Sequence, residues 1–303
     1  GTRNVSFIVE TDGGKWVLRR RYPGYCDPER IVFDHSAACF LEACGVPVIA
    51  PRASAEGKTF WDSGSGIWEV YAFVEGRHLR DGDREDAIAL AGSLARLHEA
   101  GSLFTGRYEK LGPRGEADPD HLLESIERAR ADAPNAGELL DSHRNDLLRA
   151  ASELSTEQYL ALPHTLVHGD VQPANIIMDD GRVRAFLDMD WCAWRPRIYD
   201  LCFALICCCA RHERPLAGGD VWDLTQSPDL DAVTAREFLD VYGRCFAPLS
   251  GAERDALGPH LALTWLHMRI DNSLKVPASE RRAFLERGFD LQAIALGLSN
   301  SFL

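Results

Sequence analysis

Residues 165–190, TLVHGDVQPANIIMDDGRVRAFLDMD, constrain the fold of this chain more than any other stretch. A short apolar run ends in His168-Gly169-Asp170. Two further strand-like runs, ANIIM and VRAFLD, flank the turn DDG. Such runs around an Asp-Gly turn form a hairpin. The hairpin returns Asp188 toward the end where Asp170 and Asn175 lie. Pro173 stands between those two, so they share a loop and not a helix face. Carboxylates beside apolar strands are costly unless they are paired or bound to a cation. The segment therefore predicts a site for something cationic.

The surrounding pattern places that site. NVSFIVE (4–10) and KWVLRRR (15–21) flank TDGG and read as a first hairpin. Asp27 and Pro28 then start a helix that Gly45 ends. VPVIAP follows, and KTFWDSGSGIWEVYAFVEG reads as another antiparallel pair around a turn at 64–66. From Asp83 onward helical periodicity dominates: 84–101, 119–131, 136–160, 198–213, 230–247, 252–273 and 278–297. The expectation is an α+β chain in two lobes: residues 1–75 as a small antiparallel sheet with one helix, and residues 76–303 as a larger, mainly helical lobe. The boundary falls at the turn around Gly76, with a cleft between the lobes.

Net charge is −13 over 303 residues. That argues against nucleic acid or an anionic membrane surface as the main partner. The longest apolar run is too short to span a bilayer. The nine cysteines show no Cys-x-x-Cys spacing. Cys207, Cys208 and Cys209 are consecutive in an apolar run, so as helical residues they point in different directions and cannot converge on a metal. They read as buried thiols in the core, and free thiols in this number suggest a reducing, cytoplasmic setting.

The chemistry that needs an Asp, an Asn five residues on and a further Asp beyond a hairpin is phosphoryl transfer. The donor triphosphate requires Mg²⁺, which takes oxygen ligands, and a carboxylate must orient the attacking hydroxyl. The protein-kinase pattern has that order. Here it runs His168-Gly169-Asp170, Asn175, Asp188-Met189-Asp190.

VHGDVQPANIIMDDGRVRAFLDMDWCAWRPRIYDLCFAL resembles the aminoglycoside phosphotransferase and choline kinase-like superfamily. WVLRR, FDHSAACFLEACGVPVIAP, WEVYAFVEGR and LARLHEAG match it in order, and the flavour is nearest its homoserine kinase type II-like branch. The resemblance implies a two-lobed protein-kinase-like fold and an ATP- and Mg²⁺-dependent kinase, with GTP an open alternative donor. It implies Asp170 as the catalytic carboxylate, Asn175 and Asp188 as metal ligands, His168 as a loop organiser, and Asp200 as a structural acid bonded to the catalytic loop. Arg19 falls where many relatives carry the Lys that holds the phosphates, and its expected partner is Asp34, with Glu29 as the alternative. YAFVEG resembles the interlobe hinge, its backbone at Ala72 and Val74 holding the adenine behind Tyr71. GTRN at the start resembles the loop over the phosphates. Relatives carry a helix and a strand before it, so the sheet lobe is expected to be incomplete.

Each reading has a plainer alternative. The His168–Asp188 group as a loop capped by its own side chains is one, and Arg19 with Asp34 as a surface ion pair is another. His98 reads as a satisfied packing residue. Asp190 stands between metal contact and solvent. Trp191, Trp194 and Trp265 offer aromatic faces that attract ammonium groups, although core packing competes for each. With Asp190, and with His267, Arg269 and Asp271 of WLHMRIDNSLK, they are the candidates for the acceptor site. The acceptor is expected to be a hydroxyl of a small molecule such as an aminoglycoside, homoserine or choline. A Ser or Thr of a peptide, or a nucleotide-binding module without catalysis, are the alternatives.

Overall fold

The apolar run VSFIVET folds back through a turn at Gly14 (φ +114°), giving β1 (Val5–Thr11) and β2 (Gly14–Arg20) as an antiparallel hairpin. The computed structural model describes residues 4–218, 220–226 and 228–286. All but Asn4 of the expected phosphate loop, and the end of the helix expected over 278–297, lie outside the described residues. Asp27 accepts the Glu29 amide and Pro28 occupies the first turn, so α1 (Pro28–Ala43) begins where the sequence predicts. β3 (Trp61–Asp62) and β4 (Ile67–Ala72) complete an antiparallel sheet in the order β1-β2-β4-β3. Its register sets Arg19 opposite Glu69 and Val17 opposite Tyr71. Directly opposed residues share a face, so Arg19, Arg21, Glu69 and Tyr71 lie on one side of the sheet.

The chain leaves this sheet after β4, and β5 (Arg77–His78) joins a second one. Gly76 permits the crossing. It sits at φ +147°, and a Cβ there would fall 2.5 Å from the Ile177 side chain and 2.7 Å from the Met178 carbonyl. Asp83 then caps α2 (Arg84–Gly101) by accepting the Glu85 and Asp86 amides. α3 (Pro119–Asp132) and α4 (Gly137–Glu153) follow. A single helix over 136–160 is not what forms: Leu154 is extended, and Ser155 opens a capping box with Gln158 that starts the separate α5 (Thr156–Leu160).

β6 (His164–Val167), β7 (Ile176–Asp179) and β8 (Arg182–Phe186) carry the 165–190 motif, and β9 (Ala193–Pro196) follows it. β7 and β8 are the predicted hairpin, turning through Asp180 (φ +46°) and Gly181 (φ +69°). β5-β7-β8 form one small sheet and β6-β9 another. α6 (Ile198–Ala204) runs into a π-helical turn over Leu205–Cys209 and ends short of the expected residue 213. α7 (Ala232–Cys245), α8 (Gly251–Ser273) and α9 (Ala278–Glu286) complete the described chain.

One core unites the two parts. Phe33, Ala37 and Leu41 of α1 pack with Leu90, Leu94 and Leu97 of α2 and with Leu166, Ile176, Phe186 and Cys207–Cys209. The three cysteines are buried free thiols. Among the described residues no helix is long and apolar enough to cross a membrane.

Candidate active site

β6 delivers the chain into His168-Gly169-Asp170, and the glycine explains why the loop can sit where it does. Gly169 has φ +86°, and a Cβ there would lie 2.1 Å from the Trp191 carbonyl oxygen. The loop is held from below by Asp200 of α6, which is fully buried. Its carboxylate accepts the His168 amide at 2.6 Å, the Gly169 amide at 2.8 Å and His98 Nε2 at 3.0 Å. His98 Nδ1 lies 2.7 Å from the Tyr242 hydroxyl, so His98 is a satisfied buried residue. Burial works to raise the Asp200 carboxyl, but the hydrogen bonds and the neighbouring imidazoles hold it below the ordinary value.

His168 ties the loop to the strand that precedes Asp188. Its Nδ1 accepts the Asp170 amide at 3.2 Å, which leaves Nε2 to donate to the Leu187 carbonyl at 2.9 Å. Burial pushes its pKa down, so the ring is neutral and serves as a strut. Asn175 draws the same parts together. Its Nδ2 donates to Asp170 Oδ2 at 2.8 Å, and its main-chain oxygen accepts the Leu187 amide at 2.8 Å. Asp188, next along, takes a left-handed conformation (φ 61°, ψ 67°). Gln172 Nε2 reaches both Asp170 oxygens at 2.8 Å, a contact the sequence reading missed.

Burial pushes the Asp170 carboxyl up to about 6, against the hydrogen bonds from Gln172 and Asn175, and the Glu116 charge adds to the rise. Burial and the Asp190 charge push Asp188 up to about 6 as well, against the pull of Arg19. Asp170, Asn175 and Asp188 could offer oxygen ligands, the kind a hard divalent cation takes.

A buried charge network joins this set to the sheet. Arg19 meets Glu69 at 2.7 Å, Asp190 at 2.9 Å and Asp188 at 3.0 Å. Its Nη2 also donates to the Tyr71 hydroxyl at 2.9 Å. Arg21 meets Asp190 at 2.8 Å and Glu69 at 3.3 Å, and it also holds Asp34. The expected Arg19–Asp34 pair is therefore corrected. Cross-strand register gives Arg19 to Glu69, whereas Asp34 on α1 is held by Arg21 and Lys110. Glu29, the alternative, stands exposed in the first turn of α1. The alternation Arg19, Arg21 in WVLRRR was the available signal for the second arginine; Glu69 and Lys110 needed the register and the loop path. Asp190 is buried at 2 % exposure and saturated by Arg19, Arg21 and Asn4, whose Nδ2 lies 2.9 Å away. It is neither solvent-facing nor open to an acceptor. Ala72 pairs with Trp16 at the end of β4, and Val74 lies just past it, leading to Gly76.

The expected acceptor residues separate. Trp191 is covered by Arg30, 5.0 Å from its ring, and by the edge of Tyr25. Trp194 is covered by Arg107 at 3.7 Å and stacks on His164. Trp265 is 2 % exposed, and Arg269 is 1 % exposed between Trp265 and Phe284. A guanidinium thus covers a face of both half-buried tryptophans, and Arg269 is buried with Nε and Nη1 lacking a hydrogen-bond partner. Asp271 differs. It accepts His267 Nδ1 at 2.9 Å and His121 Nε2 at 2.8 Å, and His267 Nε2 lies 3.4 Å from Glu116. The ligand atoms of Glu116, His267 and Asp271 lie within 4.8 Å of one another, a group able to hold a cation.

The model of the phosphotransferase enzyme family matches residues 1–245. The chain is 25% identical over 264 residues to a homoserine kinase of Methylobacillus flagellatus, covering 84% of this chain and 72% of that one. An aminoglycoside phosphotransferase from Alicyclobacillus acidocaldarius superposes with a TM-score of 0.66 at 16% identity, over 97% of this chain and 89% of the other. Amicoumacin kinase hAmiN, in complex with AMP-PNP, Ca²⁺ and its ligand Ami, superposes with a TM-score of 0.60 at 17% identity, over 97% and 90%. The small antiparallel sheet and the helical remainder are thus the kinase-like fold of these structures.

Proposed function

The chain belongs to the phosphotransferase enzyme family, and we propose that it transfers the γ-phosphoryl group of ATP to a hydroxyl of a small amine-bearing molecule, with Mg²⁺. The observation that carries this is the meeting of the Asp170 loop, Asn175 and the residue before Asp188 through the Asn175–Asp170 and Leu187–Asn175 hydrogen bonds. Asn175 and Asp188 would hold the metal, which when bound offsets the charge of the phosphates. Asp170 would align the acceptor hydroxyl and take its proton, and an acid poised near 6 is ionised at neutral pH yet basic enough to help. Arg19 would grip a phosphate, and the main chain at Ala72 and Val74 would hold the adenine beside Tyr71.

The acceptor would lie over Glu116 and Asp271, whose carboxylates suit an ammonium group, with His267 between them. Homoserine and the aminoglycosides, on which relatives act, both pair a hydroxyl with an amine. The test is ADP release with ATP or GTP, with Mg²⁺ or a chelator, across amino alcohols and neutral alcohols of equal size. Turnover on amino alcohols that needs Mg²⁺ supports the proposal. Transfer to none of them, or equal rates on neutral alcohols, would refute the corresponding part.

A further inference from the structure

Two guanidiniums lie in the core beneath the 110–118 loop without a carboxylate to meet them. Arg114 is 1 % exposed and Arg195 is 3 % exposed. Arg114 donates Nη2 to the Leu154 carbonyl, and Arg195 donates Nη2 to the Lys110 carbonyl. Burial lowers the Arg114 pKa against the charge of Asp118, four residues on, but that carboxylate is turned to the main-chain amides of Arg114 and Asp120, where it caps α3. Among the described residues neither arginine forms an ion pair, while Arg114 Nε, Arg195 Nη1, Tyr159 Oη and both ring nitrogens of His260 are shut off from solvent with no hydrogen-bond partner.

The residues that carry these orphan atoms follow one another in a chain of contacts. The Arg114 guanidinium carbon lies 5.1 Å from the Tyr159 ring, and Tyr159 lies 5.0 Å from the His260 ring. His260 lies 5.8 Å from Tyr199, over whose ring Arg195 sits at 5.0 Å. A Cβ on Gly115 would fall 2.7 Å from the Arg195 guanidinium carbon, so Arg195 presses directly under the backbone that joins Arg114 to Glu116. Leu154, Leu162, Ile198 and Ala256 pack around Tyr159. Burial, then the charges of Arg114 and Arg195, push the His260 pKa down to about 3, so the imidazole is neutral.

The cluster is thus two cations, a phenol and a neutral imidazole in an apolar setting. A buried charge left unpaired costs several kcal/mol. An ordered water can meet an orphan donor but cannot offset a charge. We propose that Arg114, Arg195, His260 and Tyr159 form a buried site for one small monovalent anion of halide size, which fixes the loop carrying Glu116. Every donor is closed off from solvent, which disfavours sulfate or phosphate because a multivalent ion loses more hydration on entry. The inference does not depend on the reaction assigned above.

The test is thermal unfolding of the full chain in sodium chloride against sodium gluconate at matched ionic strength, joined to crystals soaked in sodium bromide. An anion bound only by the folded state raises the melting temperature by roughly 2 °C per tenfold chloride once the site fills. Arg195→Met should abolish that dependence. Bromide should give an anomalous peak between Arg114 and Arg195. Equal melting in chloride and gluconate, or a water in place of the bromide peak, overturns the proposal. If Arg195→Met does not fold, the wild-type series and the bromide map decide it alone.

Discussion

Arg19 Nη1 lies 3.0 Å from Asp188 Oδ1, so a guanidinium on the sheet sits directly on a carboxylate proposed to bind metal. The same head group serves Glu69 and Asp190. Under the proposed function, Arg19 would exchange Asp188 for a phosphate when nucleotide binds. Arg19→Met leaves Glu69, Asp188 and Asp190 with Arg21 as the remaining guanidinium, alongside His35 on Glu69 and Asn4 on Asp190. The expected loss is about 3–5 kcal/mol of folding stability, as for one partner of a buried pair. Affinity for the Mg²⁺ nucleotide should fall about tenfold or more. Arg19→Lys keeps the charge but not the fork that spans the three acids, and should recover only part of each. Urea unfolding and calorimetric titration read both quantities. Unchanged nucleotide affinity in Arg19→Met would remove Arg19 from the phosphate site.

Lys110 makes a second link between the halves of the molecule. Its Nζ holds Asp34 of α1 and donates to the Asp190 and Cys192 carbonyls at 2.9 and 2.7 Å. α1 is thereby pinned to the turn after Asp188. Lys110→Met should cost about 3 kcal/mol or more, because Asp34 stays buried with one cation fewer. Adding Asp34→Leu should cost much less than the sum of the single changes, since the uncompensated charge is gone. Strict additivity in a double-mutant cycle would show that the pair is not coupled.

Asp170 sets the pH behaviour. Its carboxyl is pushed up to about 6, whereas an unfolded-chain aspartate titrates near ~4. The ionised form is the working one, so kcat/KM should fall as pH drops through about 6. Stability runs the other way. Between the two values the native state binds more protons than the unfolded one, so this group's contribution to stability is present at low pH and lost as pH rises. Asp170→Asn should therefore raise the melting temperature relative to the parent more at pH 7.5 than at pH 5, while lowering kcat roughly 10²–10⁴-fold. A stabilisation independent of pH would contradict the assignment of the shift to Asp170.

Local chemistry made part of this legible in advance. Asp27-Pro28, Asp83 and the Asp180-Gly181 turn act only on neighbouring residues, and the elements they start or turn form as the sequence reads. The order of His168, Asp170, Asn175 and Asp188 around one hairpin likewise implied that the loop, Asn175 and the strand end at Leu187 meet. What was hidden depends on contacts between distant segments. Asp34 went to Lys110 and not to Arg19 because a loop 76 residues further along passes α1. Trp191 and Trp194 look like free aromatic faces in the sequence, but Arg30 and Arg107 cover them. The break at Leu154 was unread because Ser155 and Gln158 sit within a continuous helical pattern, and only their capping box ends it.

Asp200 gives the most demanding test of how the catalytic loop is held. Its two oxygens serve three donors: the amides of His168 and Gly169, and His98 Nε2. Asp200→Asn keeps the volume but turns one oxygen into a donor. Either a loop amide or the imidazole must then face an N–H group. A ring flip or tautomer change at His98 could meet the new amide, but Nδ1 is already 2.7 Å from the Tyr242 hydroxyl. The backbone amides have no such freedom. The expected result is a stability loss of about 2–4 kcal/mol, from an unsatisfied buried donor and a lost charge-assisted bond. The kcat should drop while binding of the Mg²⁺ nucleotide changes little, because Asp200 supports the loop that carries Asp170 and not the metal-side Asp188. If Tyr242→Phe is added, releasing His98 Nδ1, the loss should shrink. Equal losses with and without the tyrosine hydroxyl would show that His98 does not relay the strain, and that the loop amides alone bear it.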